Sequence, residues 1–465
     1  MSDYKVTIGI EIHAEINTKT KMFTNSKNSF FDKVNTNINE YDVALPGSLP
    51  IVNMNVVDNA ISLAYALNMQ IDHILKFDRK PYRHYDLPKG FQITQFFHPI
   101  ATNGFVETKT KKIGIEEFHI EEDTAKAIIE NDIVKLDYNR SGVPLIEIVS
   151  KPEIYSAFEA VEYLKEIKAI LTFLNICDGK LENGSMRADV NISIDKEEYC
   201  KGQRVEIKNL NSFNNVEKAI EFEISRQKEL LENNQEVLFE TRMWNEKINQ
   251  TIAMRKKQLY NYLPEPNITP INISNRLENI KQKMPKLPKQ IKEELKNSNV
   301  SENYIDILIA DYSIFKVFDK ISKATNNPTL TSSWVIVELL GKIKKDNIKI
   351  EDISEKDVTN LIEIILLLTQ NKISTKQAKD LFEESYKSKT SPNELAKNLK
   401  PVISDENILT NIINNIITNN ENVKKMLAER PERAIGGIVG LVMKETNGCA
   451  DPKITNMLIA KLIKR

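Results

Sequence analysis

The sequence predicts an α+β protein whose N-terminal part is built on a β-sheet and whose C-terminal part is helical. Short segments in which apolar and polar residues alternate occur in the N-terminal part, as in FQITQF, PLIEIVS, MRADVNISI and RVEIKNL. Such alternation is typical of strands. From about residue 296 onward, apolar residues recur at three- and four-residue spacing instead, which is typical of amphipathic helices.

The first alternating segment, VTIGIEIHAEI, predicts a strand with one face in an apolar core. Its apolar set runs from Val6 to Ile16 in steps of two, and successive side chains of a strand point to opposite faces. The other face carries Thr7, Gly9, Glu11, His13 and Glu15. With the later alternating segments, this strand predicts a sheet-based domain over residues 1–295 that also carries some helices.

Two helical domains are predicted to follow. The proline-rich segments LPEPNITPINIS and KMPKLP suit an irregular connection. The patterns in IDILIADYSIFKVFDKI, SSWVIVELLGKIKK, VTNLIEIILLLTQ and TKQAKDLFEESYKS predict an all-α domain over 296–405. Glycines between 436 and 448 distinguish a small all-α tail domain over 406–465. Basic residues outnumber acidic ones in the tail, which fits either a nucleic-acid surface or a solvated helix face.

Composition argues against several classes of protein. The longest apolar run, at 361–369, is interrupted by Glu363 and has about half of the ~20 residues that a membrane span requires, so it predicts a buried helix and no membrane association. Lys plus Arg number 64 against 65 Asp plus Glu, so contact with nucleic acid requires local patches. The three cysteines have no metal or disulfide spacing and the first residues lack a secretory pattern, which predicts a cytoplasmic location.

Three alternating strands present ionisable side chains on one face. The polar residues of MRADVNISI and RVEIKNL add to those of the first strand Arg187, Asp189, Asn191, Ser193, Arg204, Glu206 and Lys208. This pattern is expected where the open face of a sheet forms a functional site. Half-solvated antiparallel sheets have it by default, so alternation alone leaves both interpretations open.

Glu147 is a stronger candidate because it has no polar face to occupy. In VPLIEIV it alternates with Leu145 and Val149, while isoleucines fill the opposite face. A carboxylate embedded in this way requires a cation, a metal ion or several hydrogen-bond donors. A purely structural ion pair with Arg140 is the alternative.

The segment HIEEDT adds consecutive acids at 121–123 after His119. Alone, such a run is typical of a solvated turn or a helix start. With Glu11, His13 and Glu147 it provides the oxygen-rich set that Mg²⁺ prefers, to which substrate phosphates add further ligands. A histidine in the set leaves manganese or zinc as alternatives. Neighbouring side chains on one strand face are ~6.5–7 Å apart, so Glu11 and His13 serve one ion through water or two ions.

Phosphate-binding loops of the common kinds do not occur in the sequence, since neither GxxxxGK[ST] nor GxGxxG is found. A nucleotide therefore requires other cations. The candidates, each of which is alternatively a surface cation, are Arg79, Lys80, Arg83, Lys89, Arg187 and Lys208. No nucleophile constellation supports hydrolysis through a covalent intermediate.

Eight segments, in order and at compatible spacing, resemble the B subunit of the tRNA-dependent glutamyl/aspartyl-tRNA amidotransferase. They are IGIEIHAEINTKTKMF, ALPGSLPIVN, DLPKGFQITQ, HIEEDTAK, DYNRSGVPLIEIVSKPEI, ENGSMRADVNISI, EIKNLNSF and YLPEPNITP. The segment GGIVGLVMKETNG resembles the C-terminal tail of the family. The resemblance implies a cradle-shaped domain with an antiparallel sheet, then a helical domain, then a tail that contacts the tRNA.

The resemblance also implies an activity. This member of a heterotrimer would bind tRNA and use ATP to phosphorylate the side-chain carboxylate of Glu-tRNA(Gln) or Asp-tRNA(Asn). Ammonia would then form the amide. It would be released from glutamine by an amidase (A) subunit, which a small C subunit holds together with this chain. The whole is a ligase that forms carbon–nitrogen bonds, with Mg²⁺ or Mn²⁺ as the cofactor and ATP as a substrate.

Site residues follow from the matched motifs. The resemblance implies a metal shell of Glu11, His13, Glu121, Glu122 and Glu147, of which all but Glu121 are also expected to be catalytic. The groups expected to meet ATP or the tRNA terminus are Lys89, Arg187, Asp189, Lys208 and Asn209. The resemblance assigns no role to Glu15, which is expected at the solvent-exposed end of its strand.

Four departures from the family pattern leave every proposed ligand in place. They are PYRHY at 81–85, Thr124 and Ala125 beside the acids, a short connection at 256–263, and Cys449. Two other functions remain open at this point. One is a non-catalytic tRNA-binding assembly subunit with a structural metal site, and the other is an independent metal-dependent kinase of a small carboxylate.

Overall fold

The structure is a computed structural model that describes residues 4–29, 32–131, 133–195, 202–256, 260–429 and 431–463. The chain divides into two compact units, Met1–Ile291 and Lys292–Arg465. This division and the predicted boundary after residue 295 both fall within one helix, Pro288–Asn297. The boundary after residue 405 stays a prediction.

Strands are confined to the first unit among the described residues. They are β1 (Lys5–Glu15), β2 (Gln70–Ile71), β3 (Ile74–Leu75), β4 (Asp78–Pro81), β5 (Phe91–Thr94), β6 (Ala101–Glu107), β7 (Lys112–Glu122), β8 (Lys126–Glu130), β9 (Ile133–Asp137), β10 (Pro144–Ser150), β11 (Met186–Asp195), β12 (Val205–Lys208), β13 (Glu240–Asn245), β14 (Gln250–Lys256), β15 (Leu263–Pro264) and β16 (Ile271–Asn272). The alternating segments of the sequence therefore form strands, as predicted.

The main sheet is mixed, which corrects the prediction of an antiparallel sheet. Its strand order is β14-β13-β12-β11-β1-β10-β7-β6-β2. Every adjacent pair is antiparallel except β12 and β13, where Glu206 lies opposite Thr241 in parallel register. These two strands are connected through a long helix, Phe213–Glu232, and such a crossover returns the chain in the same direction.

Helices cover one face of the main sheet. The helices of this part of the chain are α1 (Met54–Ala66), α2 (Ala157–Phe173), α3 (Phe213–Glu232), α4 (Ser274–Gln282) and α5 (Pro288–Asn297). The side chains of Ile8, Ile10 and Ile12 are fully buried in a core that also contains residues of α1, α2 and α3. The alternate residues of β1 stay partly exposed on the other face. Alternation therefore fixes which side chains reach the open face.

The second unit is helical in its described part, as the sequence predicts, apart from one isolated β-bridge between Ile403 and Ala450. Its helices are α6 (Glu302–Ala310), α7 (Tyr312–Thr325), α8 (Pro328–Ser333), α9 (Leu340–Lys345), α10 (Glu355–Thr369), α11 (Thr375–Ser388), α12 (Pro392–Ala396), α13 (Glu406–Asn419), α14 (Glu421–Glu429), α15 (Pro431–Glu445) and α16 (Pro452–Ile463), with a π-helical turn at Trp334–Leu339 and a 3₁₀ turn at Ile350–Asp352. Asp311 separates α6 from α7 because its carboxylate accepts a hydrogen bond from the backbone of Ser313 (2.8 Å) and caps α7.

The last four helices share an apolar core of their own. It contains Leu409, Ile413, Ile438, Val442 and Ile459, which are buried, and Cys449 is also buried. Arg430, Lys464 and Arg465, which contribute to the basic excess of the tail, lie outside the described residues, as does 257–259 of the short connection. Among the described helices, none combines the length and the apolar character that crossing a membrane requires.

Candidate functional site

The register of four strands aligns ionisable side chains in a row across the open face of the sheet. His13 of β1 lies opposite Glu147 of β10 and opposite Arg187 of β11. Glu147 in turn lies opposite His119 of β7. Residues directly opposite in neighbouring strands project to the same face, so the row brings together residues from four distant segments of the chain.

The first group of ligand atoms is centred on Glu147. The Oε2 atom of Glu147 lies 3.3 Å from Nε2 of His13 and 3.1 Å from Nε2 of His119. Oε1 of Glu121, which is buried, lies 3.6 Å from Nε2 of His13. Two imidazoles and two carboxylates therefore converge at one point on the sheet.

Ionisation in the first group is strongly coupled. Burial opposes charge on His13, but the carboxylate of Glu147 raises its pKa to about 9, and the same carboxylate raises the pKa of His119 to about 10. Burial also opposes charge on Glu147, yet the two imidazoles hold its pKa well below the ordinary value. In the metal-free protein, imidazolium charges thus balance the carboxylates.

A second group lies next to the first, across β1, β11 and β12. It consists of the carboxylates of Glu11, Asp189 and Glu206, which have ligand atoms within 4.8 Å of one another. Lys208 forms ion pairs with Asp189 and with Glu206, the latter at 3.4 Å. Asn191 donates a hydrogen bond of 2.9 Å to Oε1 of Glu11.

Both groups fit a divalent cation by the chemistry of their donors. In the first group, one atom each from His13, Glu121 and Glu147 lies within 4.8 Å of the others, and this set of imidazole and carboxylates suits Mn²⁺ or Zn²⁺ as well as Mg²⁺. The second group offers oxygen only, which suits Mg²⁺. The single metal shell predicted from the sequence is therefore divided, with Glu11 in the second group and His13, Glu121 and Glu147 in the first.

Glu122 lies apart from both groups, in contrast to the predicted shell. Its carboxylate pairs with the ammonium of Lys89 and accepts a 3.0 Å hydrogen bond from the backbone of Ile93. Glu121 and Glu122 are consecutive in β7, and consecutive strand residues project to opposite faces. Lys89, whose side chain is 8% exposed, is occupied by this buried ion pair and does not reach the groups on the open face.

Arg187 and Asn209, both expected to meet ATP or the tRNA terminus, are placed differently. Arg187 donates a 2.9 Å hydrogen bond from Nη2 to Asp123, while its buried Nε–H has no acceptor among the described residues. Asn209 follows Lys208 with a left-handed φ of 64°. It lines a cavity of about 380 Å³ together with Asn211, Asn215 and Trp244.

His119 and Glu206 belong to the two groups although neither is assigned a role from the sequence. A signal for each was present, since His119 is two residues before Glu121 and Glu206 is two residues before Lys208. Because side chains alternate between the two faces of a strand, residues two apart share a face, so His119 and Glu206 both lie on the functional face.

Glu15 also differs from its expected place at the solvent-exposed end of β1. It is half-buried, and burial, together with the charge of Asp123, raises its pKa to about 7.

The alternative partner proposed for Glu147 is engaged elsewhere. The guanidinium of Arg140 lies 3.6 Å from Asp123 and donates hydrogen bonds to the carbonyls of Thr124 and Ala125. Glu147 pairs with the two histidines instead. Its embedding is therefore explained by the site on the open face and not by an isolated structural ion pair.

Comparison with known proteins assigns the family. Residues 6–279 match the family described as "GatB/GatE catalytic domain" and residues 316–463 match that described as "GatB domain". The B subunit of aspartyl/glutamyl-tRNA(Asn/Gln) amidotransferase from Ureaplasma urealyticum is 42% identical, with 100% of each chain covered. The proteins of the same name from Malacoplasma penetrans and Mycoplasmopsis agalactiae are 40% and 42% identical, over 100% of this chain and 98% and 99% of theirs. The chain therefore belongs to the family of aspartyl/glutamyl-tRNA(Asn/Gln) amidotransferase B subunits.

Proposed function

We propose that this chain is the kinase subunit of an amidotransferase that converts Glu-tRNA(Gln) or Asp-tRNA(Asn) to Gln-tRNA(Gln) or Asn-tRNA(Asn). The observation that carries the proposal is the row of His13, Glu147 and His119 beside the acidic second group, on the open sheet face. The family named for this reaction supports it over the full length of the chain.

The reaction has two steps in this proposal. An oxygen of the substrate carboxylate attacks the γ-phosphorus of ATP, the bond from that phosphorus to the β–γ bridging oxygen breaks, and ADP leaves. Ammonia then attacks the acyl carbon, the bond to the phosphate oxygen breaks, and the amide forms with loss of a proton. A free carboxylate is a poor electrophile, whereas an acyl phosphate is a good one, which is why ATP is required.

The open face is suited to phosphoryl transfer because that chemistry depends on positioning and charge neutralisation. Lys208 of β12 pairs with the second group, and Arg187 of β11 lies opposite His13 of the first group, so both bring positive charge to the face that carries the two groups. The histidines of the first group are ready to orient an anionic substrate or to hold a cation. No side-chain nucleophile is needed, in agreement with the lack of one in the sequence.

We propose Mg²⁺, with Mn²⁺ as an alternative, as the cofactor. His13, Glu121 and Glu147 would hold one ion, and Glu11, Asp189 and Glu206 would hold a second. Bound cations of this kind neutralise phosphate charge and polarise phosphoryl oxygens. The carboxylates of this chain need a cationic partner once negatively charged phosphates enter, because the resident Lys208 balances only part of their charge.

The partners proposed are an amidase (A) subunit that supplies ammonia from glutamine, a small C subunit, and the misacylated tRNA, which the tail domain would contact. The relatives carry the name of a subunit, which supports an assembly. The matching family is described as a catalytic domain, and this does not favour the alternative of a purely structural assembly subunit.

The test is a reconstituted assay of the three subunits with each misacylated tRNA, ATP and glutamine. We expect Glu147→Gln to lower amidation and tRNA-dependent ADP formation at least about 100-fold, since loss of even an outer partner of a metal ligand costs about 10- to 100-fold. Glutamine hydrolysis by the A subunit should be largely retained. Glu221→Gln, on the exposed surface of α3, is the matched control and should leave amidation unchanged.

Three results would contradict the proposal in different ways. Unchanged amidation in Glu147→Gln removes the first group from the active site. Binding of tRNA without ATP consumption by the wild-type complex supports an assembly role instead. Consumption of ATP by this chain alone, with free glutamate or aspartate as the substrate, supports an independent kinase.

A further inference from the structure

Two exposed rings and one partly exposed ring of the first unit form a surface cluster, which we call the aromatic platform: Phe96, Phe97 and Tyr262. The rings of Phe96 and Tyr262 stack with centroids 3.9 Å apart and an interplanar angle of 5°. Phe97 packs edge-on against Phe96 at 5.2 Å. Both phenylalanines are about half exposed, at 52% and 51%, and clustered apolar rings on a surface indicate a binding site more often than scattered ones do.

The platform is held in place by buried charges. The backbone N–H of Phe97 donates to the buried carboxylate of Asp78 (2.9 Å). Tyr262 immediately precedes β15, which pairs with β4. Arg79 of β4 forms a two-point ion pair with Glu265, at 2.7 and 3.0 Å. The exposed rings are thus fixed by ordered contacts and pre-organised for a ligand.

The platform lies next to the first group. The side chain of Gln95, the residue before Phe96, accepts a 2.9 Å hydrogen bond from the backbone of Ile120, which lies between His119 and Glu121 in β7. The ammonium of Lys80 is 4.9 Å from the ring of Tyr260. Burial opposes the charge of this ammonium, but Glu121 and Glu147 raise its pKa. Lys80 is therefore within electrostatic reach of the first group.

The two groups follow one another across the main sheet, and the platform adjoins β7 from a separate three-stranded sheet with the order β15-β4-β5. The second group occupies β12, β11 and β1, the first group occupies β1, β10 and β7, and the platform follows β5, which contacts β7. If phosphates of ATP bind at the second group, the reacting carboxylate lies at the first group. The platform then lies on the far side of that carboxylate from ATP.

The amino acid of an aminoacyl-tRNA is esterified to the ribose of the last nucleotide, whose base is unpaired. That base must therefore lie close to the reacting carboxylate and away from ATP. Unpaired bases are recognised by stacking on aromatic side chains. We propose that the aromatic platform stacks the unpaired 3′-terminal base of the tRNA, an inference that rests on the proposed function and adds a substrate subsite to it.

The test measures binding by the full-length chain. The probes are deacylated tRNA ending in the normal 3′ base, the same tRNA with an abasic last nucleotide, and ATP. We expect Phe96→Ala to raise the Kd for normal tRNA about ten-fold, the effect of losing one stacked base, with the Kd for ATP unchanged. The abasic tRNA should bind the wild-type chain equally weakly and lose nothing further in Phe96→Ala.

Matched variants separate stacking from folding. Tyr262→Phe keeps the ring and should bind normal tRNA as the wild type does, whereas Tyr262→Ala should resemble Phe96→Ala. Phe158→Ala removes an exposed ring of α2 outside the platform and should have no effect. Circular dichroism and thermal unfolding of every variant verify that the fold is retained.

The outcomes are distinct. A raised Kd for ATP with unchanged tRNA binding would assign the platform to the adenine of ATP and overturn the inference. Equal binding of normal and abasic tRNA by the wild-type chain also overturns it, while leaving the proposed function intact. No tRNA binding by the wild-type chain overturns the platform as a subsite of this chain, whereas the proposed function is tested separately by amidation in the complex of the three subunits.

Discussion

Replacing Glu147 by glutamine tests the electrostatic basis of the site directly. The substitution keeps the shape of the side chain and removes the charge that faces Nε2 of His13 at 3.3 Å and Nε2 of His119 at 3.1 Å. Glu121 remains, at 3.6 and 3.8 Å from the same two atoms. The two imidazoles therefore lose one of two carboxylates that stabilise their protonated form.

The magnitude follows from the distances. At an effective dielectric constant of about 20, a unit charge about 3.2 Å away contributes about 5 kcal/mol, which corresponds to three to four pKa units at about 1.4 kcal/mol each. Relaxation of Glu121 toward the imidazoles offsets part of this loss. We therefore expect the pKa of His13 to fall from about 9 by about 2 to 3 units, and that of His119 to fall similarly.

The assay is a pH titration of the metal-free protein by NMR with labelled histidine, which is practical because the chain has five histidines. Glu221→Gln is the control, since Glu221 is exposed on α3 and lies outside both groups, and its loss should leave both histidines nearly unchanged. A fall of less than about 0.5 unit for His13 in Glu147→Gln would refute the electrostatic coupling of the first group.

Three further predictions concern proton release, a buried ion pair and a backbone turn. Mn²⁺ binding at pH 8 should release about one proton, because a ligand imidazole must be neutral and the pKa of His13 is about 9. The apparent affinity for Mn²⁺ should therefore rise with pH up to that value. Equal calorimetric heats of binding in two buffers of different ionisation enthalpy would contradict the release of a proton. Lys89→Met should destabilise the chain by about 3–5 kcal/mol because it leaves the buried carboxylate of Glu122 without this ammonium, and thermal unfolding should show partial recovery in the double variant with Glu122→Gln. Asn209→Ala should cost about 1–2 kcal/mol relative to Asn209→Gly, since its φ is left-handed, as denaturant unfolding measures.

The parts of the site that depend on the alternation of side chains along a strand were predictable from the sequence. The apolar residues of β1 are buried and Glu11 and His13 are on the opposite face, as the alternation requires. The second-unit helices were predictable in the same way, since their periodicity is local. Predictions of this kind succeed because alternation and helical spacing depend on neighbouring residues of one segment.

The division of the ligands into two groups was not predictable, because it depends on register between distant strands. Glu147 lies opposite His13 only because β1 and β10, which are more than a hundred residues apart, pair in one register. Motif matching treats Glu121 and Glu122 alike, whereas the strand sends them to opposite faces. The parallel pairing of β12 with β13 was likewise missed, since a crossover helix leaves no local signature of strand direction.

The two groups are linked through β1, and this link constrains how the site can work. Glu11 belongs to the second group and His13 to the first, and residues two apart on one strand face are ~6.5–7 Å apart. If each group holds a cation as proposed, the strand repeat sets the spacing between the two cations, and the attacking oxygen and the γ-phosphorus meet between them at ~3–3.5 Å. A shift of β1 by one residue against its neighbours would turn both Glu11 and His13 into the apolar core and Ile10 and Ile12 outward. The buried isoleucines of β1 thus hold the register on which the spacing of the two groups depends.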